Sequence, residues 1–176
     1  MAACAPKETA RLDESAPQVA AAADLAVYAA VIDSLYAADA RVDTLLIHQI
    51  AVRDPGPFDE DTSYSAVRAR LQRLDGIPSD AIEDFIRANA ASATIRDSIP
   101  TRRAYRLSDP HVGGPMPEAP ASRALVFSRV GYAQSGREAI VSVDFHCPLC
   151  GEGRTLLLSR TDSGWRVIAE LLEWIS

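Results

Sequence analysis

Lysine is nearly missing from this chain: of its 18 basic residues, all but Lys7 are arginine. Codon bias toward GC produces such a skew, so the arginine preference carries no functional weight. Basic residues are also outnumbered by 24 acidic ones, for a net charge of −6. That balance excludes a general nucleic-acid binder, because neutralising phosphates takes surplus Lys and Arg. It also disfavours adsorption to anionic lipid by charge alone. No apolar run reaches the roughly 18 residues that span a bilayer, so neither a transmembrane segment nor an intact signal peptide is read. The catalytic signatures G-x-S-x-G, H-E-x-x-H, the phosphate-binding glycine loop and G-x-G-x-x-G are all absent. An enzyme is therefore the less favoured expectation, and no cofactor or metal is expected.

What is present is ordinary for a globular chain: 176 residues, 48% hydrophobic and 24% charged, enough for one well-buried domain. Its most patterned stretch covers residues 125–176. Ala139, Val141, Val143, Phe145 and Cys147 alternate with Glu138, Ser142, Asp144 and His146, and Ile140 is the exception. Period-2 alternation predicts a half-buried strand with Cys147 on the core face and Asp144 and His146 on the wetter one. Gly151 and Gly153 permit a turn, residues 155–160 return, Asp162-Ser163-Gly164 turns again, and residues 165–171 form a further strand. With residues 125–132 these make an antiparallel meander of about four strands.

Upstream, residues 21–38 read as a helix, with Leu25, Tyr28, Ile32 and Leu35 forming an apolar stripe. Residues 44–52 read as a strand in which His48 shares a face with Leu46 and Ile50, as a core histidine or edge donor. Asp54-Pro55-Gly56-Pro57 ends it. Residues 63–74 form a short amphipathic helix closed by Asp75-Gly76. Ser79 is the expected N-cap of the next, with Asp80, Glu83 and Asp84 near its start and Ile82, Phe85 and Ile86 inward. Arg102 and Arg103, with Arg106 around Tyr105, form a small basic cluster able to receive an anion, although a solvated charged face is the commoner meaning. Residues 108–122 form a Pro- and Gly-rich loop that contains His111. The predicted architecture is α+β, about three helices packed on one face of an antiparallel sheet. The other face is left for a small ligand or protein partner.

The start, Met1-Ala2-Ala3-Cys4, resembles the end of a bacterial lipobox, where small residues precede a cysteine that becomes lipid-modified. The Ala-, Pro-, Glu-, Ser- and Gln-rich stretch that follows suits a flexible tether over residues 1–20, ahead of a single domain over 21–176. These features predict a lipid-anchored extracytoplasmic protein that meets the membrane only through Cys4. In that compartment Cys147 and Cys150 are expected to pair, whereas in the cytosol they would stay reduced.

Three chemistries compete for the Cys147–Cys150 spacing. A structural disulfide would pin the turn, contributing roughly 2 kcal/mol by loop entropy. A redox dithiol needs an activated first thiol, usually at a helix N-terminus, and here strands flank the pair. Zinc held by Cys147, Cys150 and His146 lacks a fourth ligand, and His146 points away from Cys147. The disulfide is favoured. Asp144 with His146 is a formal acid–base pair, but two polar residues on a solvated face is the simpler meaning.

The quoted residues also carry a resemblance. Phe127-Ser128-Arg129-Val130-Gly131, Cys147, Cys150-Gly151, Gly153, Leu156-Leu157-Leu158, Gly164-Trp165, Val167 and Trp174-Ile175-Ser176 resemble a bacterial envelope-protein family of unassigned activity. The likeness covers about fifty residues. It departs in that Trp165 follows Gly164 directly and the cysteine spacing is one residue shorter. The resemblance implies an extracytoplasmic α+β domain. Helix followed by curved antiparallel sheet is also the build of nuclear-transport-factor-2-like folds, a likeness of architecture alone.

Overall fold

Helix α1 (Ala22–Tyr36) buries Leu25, Val27, Tyr28, Ala29, Val31, Ile32 and Tyr36. An apolar band this wide goes with a helix laid flat on a sheet. The computed structural model describes residues 18–36, 44–51, 63–108, 124–147 and 150–176. Among them are two further helices, α2 (Tyr64–Leu71) and α3 (Ser79–Ala88), and ten strands. The strands are β1 (Gln18–Val19), β2 (Leu45–His48), β3 (Ile50–Ala51), β4 (Ala93–Thr94), β5 (Tyr105–Ser108), β6 (Ala124–Phe127), β7 (Gly131–Tyr132), β8 (Glu138–Cys147), β9 (Cys150–Thr161) and β10 (Gly164–Ile175). The fold class is α+β, as the sequence patterning predicts.

The main sheet has the order β10-β9-β8-β6-β2-β5, with β7 also on β8, and a small sheet has the order β1-β4-β3. The predicted C-terminal meander forms its antiparallel part. Two features go beyond the prediction. β2 runs parallel to both β5 and β6, and the run at 44–52 breaks at Gln49, sending β3 into the small sheet against β4. The helices also lie on both faces rather than one. α1 packs over Leu45, Ile47, Leu125, Phe127, Val141, Val143, Leu156 and Leu158. Residues of α2 and α3 pack over the opposite phase, Ile140 and Leu157, with Ala169 and Leu171 beside them. Alternation is strict enough to feed two cores because successive residues of β8 and β9 point to opposite faces.

Helix ends follow local chemistry. The Ser63 hydroxyl caps α2 by accepting from Ala66 N at 3.3 Å. α3 begins one residue earlier than the cap reading: Pro78 holds the N-cap position and no side chain caps it. Its acidic residues instead receive backbone N–H groups from the β7 region. Asp84 accepts from Tyr132 N at 2.7 Å and Asp80 from Gln134 N at 2.8 Å.

The Phe127-Ser128-Arg129-Val130-Gly131 stretch is not one strand. Ser128 N still donates to the Ser142 carbonyl at 2.9 Å, but after it the chain leaves the ladder, and Asn89, just past α3, takes over the hydrogen bonding of Arg129. The Asn89 side chain accepts from Arg129 N at 2.8 Å and donates to the carbonyls of Arg129 and Phe85 at 3.1 and 2.9 Å. Arg129 Nη1 then donates to Gln18 Oε1 of β1 and to the Ala88 carbonyl. The Tyr28 hydroxyl donates to the Ser128 carbonyl, and its ring stacks on Phe127 with centroids 4.6 Å apart. Buried Asp24 accepts from the Tyr132 hydroxyl at 2.9 Å. Burial raises its carboxyl above the usual range, opposed by that hydrogen bond and by the positive charge of Arg129. This stretch therefore ties α1, α3, β1 and β8 together, which is a structural use.

Among the described residues, β10 ends the main sheet and pairs only with β9. Its register shifts between Val167 and Ala169 and again between Leu172 and Trp174. The second shift matters below, because an extra residue there re-aims the side chains around it.

Candidate functional site

Strand register lays out the sheet face opposite α1, at the end beyond α2 and α3, as two rows. His48 aligns with Ser108 on β5, and by extension of the β2–β6 register with Val126. Val126 pairs with Asp144, Asp144 with Gly153, and Gly153 with Trp174. One step along, Arg106 pairs with Leu46, Leu46 with Ala124, Ala124 with His146, and His146 with Gly151. The floor of small and apolar residues lets the larger side chains lean over it.

Trp174 is the central element. Its indole Nε1 donates to Asp144 Oδ1 at 3.3 Å, and its ring lies beside His146 with centroids 5.8 Å apart. It can lie there because β9 has no side chains beneath it. A Cβ on Gly151 would stand 2.8 Å from Trp174 Cζ3, and one on Gly153 would fall on Nε1 and 2.7 Å from Asp144 Oδ1. The Gly-x-Gly after Cys150 and the Trp174-Ile175-Ser176 ending are thus two halves of one packing arrangement. Asp144 is consequently 6% exposed, which corrects its expected place on a solvated face. His146 and Trp174 are half-buried.

The bulge before Trp174 brings Glu173 to the same face. Thr155 Oγ1 donates to Glu173 Oε1 at 3.0 Å and lies 2.9 Å from the Ser142 hydroxyl. Arg73, just past the C-cap of α2, and Arg70 within it approach the same carboxylate at 2.8 and 3.6 Å. This polar seam joins α2 to the sheet and closes one side of the site.

His48 and His146 sit within electrostatic reach of one another across β6. Burial lowers both imidazoles below their ordinary value near 6.5, and for His146 the neighbouring His48 adds to the effect. Both rings are therefore neutral at pH 7 and present one donor and one acceptor each. The unfolded chain takes up protons on these rings before the folded protein does. Their contribution to stability is fully present above about pH 6.5 and is lost as pH falls below it. Replacing both by Asn is expected to flatten the stability profile between about pH 7 and 5. Urea unfolding at a series of pH values checks this, and unchanged slopes would contradict it.

The predicted site residues separate. Asp144 and His146 come together as the patterning places them. Arg102 and Arg103 do not join them: their turn is fastened to α1, where Asp33 Oδ1 accepts from Thr101 Oγ1 at 2.5 Å and from Arg102 N at 3.1 Å. Arg106, three residues past Arg103, is the arginine of that cluster whose register position lies on the His146 row. Trp174 and His48 complete the face. Phase alone puts His48 beside Leu46 and says nothing of which strand is its neighbour; the indole is hidden from period-2 reading by the bulge. Cys4, Asp54-Pro55-Gly56-Pro57, His111 and the tether up to residue 17 lie outside the described residues, while Gln18 and Val19 form β1.

Cys147 and Cys150 are register partners closing the β8–β9 hairpin, at disulfide distance with Cα atoms 5.0 Å apart. Cys147 packs against the α1 core and Cys150 is exposed. No group of three or more His, Cys, Asp or Glu able to hold a metal occurs among the described residues. Cys147 Sγ also lies 2.9 Å from the Cys150 carbonyl oxygen. A thiol there would donate to that oxygen.

The class defined by these features is an α+β domain with a mixed sheet between helices and a partly open aromatic–imidazole face. Comparison of the chain with family models, with curated proteins and with solved structures returns no match.

Proposed function

We propose that this protein is a non-enzymatic extracytoplasmic domain, tethered to a bacterial envelope membrane through Cys4, whose open sheet face binds a small ligand or partner protein. The observation that carries the binding reading is the grouping of half-buried Trp174, His146 and His48 around the buried Asp144 carboxylate. A flat indole over glycines, with neutral imidazoles beside it, offers stacking and hydrogen bonding with little net charge. The hairpin-closing cysteine pair, the lipobox-like start and the envelope-family resemblance support the compartment. Mass spectrometry of the protein exported from its native host tests it. Cleavage before a lipid-modified Cys4, with Cys147 and Cys150 oxidised, is expected. An uncleaved, unmodified N-terminus with free thiols would sink the proposal.

A second reading, a thiol-disulfide oxidoreductase using Cys147 and Cys150, draws on the exposure of Cys150. Against it stands the strand setting of both cysteines. The reduction potential discriminates, since structural bonds sit below about −300 mV and catalytic ones between about −120 and −270 mV.

A further inference from the structure

We propose that the Cys147–Cys150 bond is a redox control on the Trp174 face; the inference rests on reading that face as a ligand site. The bond closes the last register pair of the β8–β9 hairpin. The next pair inward is His146 with Gly151, and two residues further is Asp144 with Gly153. These are the same four residues on which Trp174 depends: it lies over the two glycines, beside His146, and donates to Asp144. The bond and the ligand face thus share one short piece of ladder. The paired cysteines at its turn end hold the start of β9 against β8, and with it the bed on which the indole rests.

Access is asymmetric in a way that suits reduction. Cys147 is packed against the α1 core, whereas Cys150 is exposed. The thiolate of a small dithiol attacks Cys150 Sγ, the Sγ–Sγ bond breaks, and Cys147 leaves as a thiolate that takes a proton from water. The reductant's second thiol then displaces Cys150. The protein gains two thiols and the dithiol leaves as a cyclic disulfide, so electrons and protons balance. The Cys147 thiol formed has the Cys150 carbonyl oxygen 2.9 Å away as an acceptor. The hairpin end, no longer cross-linked, opens more often.

The test needs no ligand. Trp165→Phe leaves Trp174 as the remaining one of the two tryptophans, and its emission reports the face directly. Reduction of this variant with dithiothreitol is expected to red-shift the emission and to raise acrylamide quenching. Amide exchange at Gly151 and Gly153 is expected to speed by about thirtyfold, the loop-closure effect of a four-residue ring expressed as an equilibrium factor. The Cys147→Ser/Cys150→Ser version should show the reduced behaviour from the start and ignore the reductant. Identical emission and exchange before and after reduction of the parent would overturn the proposal, and that comparison does not depend on the serine variant folding. A redox response with no ligand ever found on the face supports the control and sinks the ligand reading. A ligand bound there equally by both redox states overturns the control alone.

Discussion

Gly131→Ala is expected to remove cooperative folding or lower stability by at least about 3 kcal/mol, a large share of the 5–15 kcal/mol of an ordinary domain. A Cβ at this position would land on the backbone of Phe85 in α3. Backbone in the middle of a helix cannot step aside as a flexible side chain does. α3 would have to lift from β7, drawing Phe85 and Ile82 from the second core and straining the bonds that Arg129 N donates to Asn89 and Tyr132 N donates to Asp84. Gly136→Ala is the matched control. It has a positive φ of 66° but nothing within 4 Å of the new methyl group, so only backbone strain of about 1–2 kcal/mol is expected. Thermal and urea unfolding of the two variants checks the difference. A Gly131→Ala melting point within about 4 °C of the parent would show that α3 does not rest on this glycine.

Gly153→Ala is expected to cost about 2–3 kcal/mol and to displace the indole of Trp174. Here the obstacle is a side chain, so the protein can yield, but yielding breaks the bond from Nε1 to Asp144 and leaves a buried carboxylate short of a donor. A double-mutant cycle isolates the effect. On a Trp174→Ala background the alanine at 153 should cost much less, giving a coupling of about 2 kcal/mol between the two sites. Strict additivity of the two substitutions would refute the packing account of the Gly-x-Gly and Trp174 pairing.

The core faces were legible in the chain. Leu25, Tyr28, Ile32 and Leu35 form the helical stripe, and Val141, Val143 and Phe145 the strand phase, because burial repeats at 3.6 and 2 residues wherever an element packs on one side. Neighbour choice was not legible. Nothing local says that β2 lies between β5 and β6, so His48 read as a solitary histidine although it faces His146 across β6. Asp144 read as wet because alternation ranks residues by face, whereas its burial comes from an indole on another strand. The break after Ser128 is hidden for a related reason: Arg129 looks compatible with a strand, and only the distant Asn89 offers it better partners. Each miss involves a contact between residues far apart in sequence.

The register shifts of β10 have one more consequence, for how copies of this chain behave when crowded. A twelve-residue outermost strand with Ile168, Leu172 and Ile175 exposed is the kind of template on which other chains add themselves, one backbone ladder at a time. Two irregularities along it interrupt the even spacing of free N–H and C=O groups that such growth requires. Glu170 and Arg166, both exposed, set charges along the same rim. The distortion that turns Glu173 toward Thr155 and Trp174 toward Asp144 thereby also works against edge-to-edge growth of this strand.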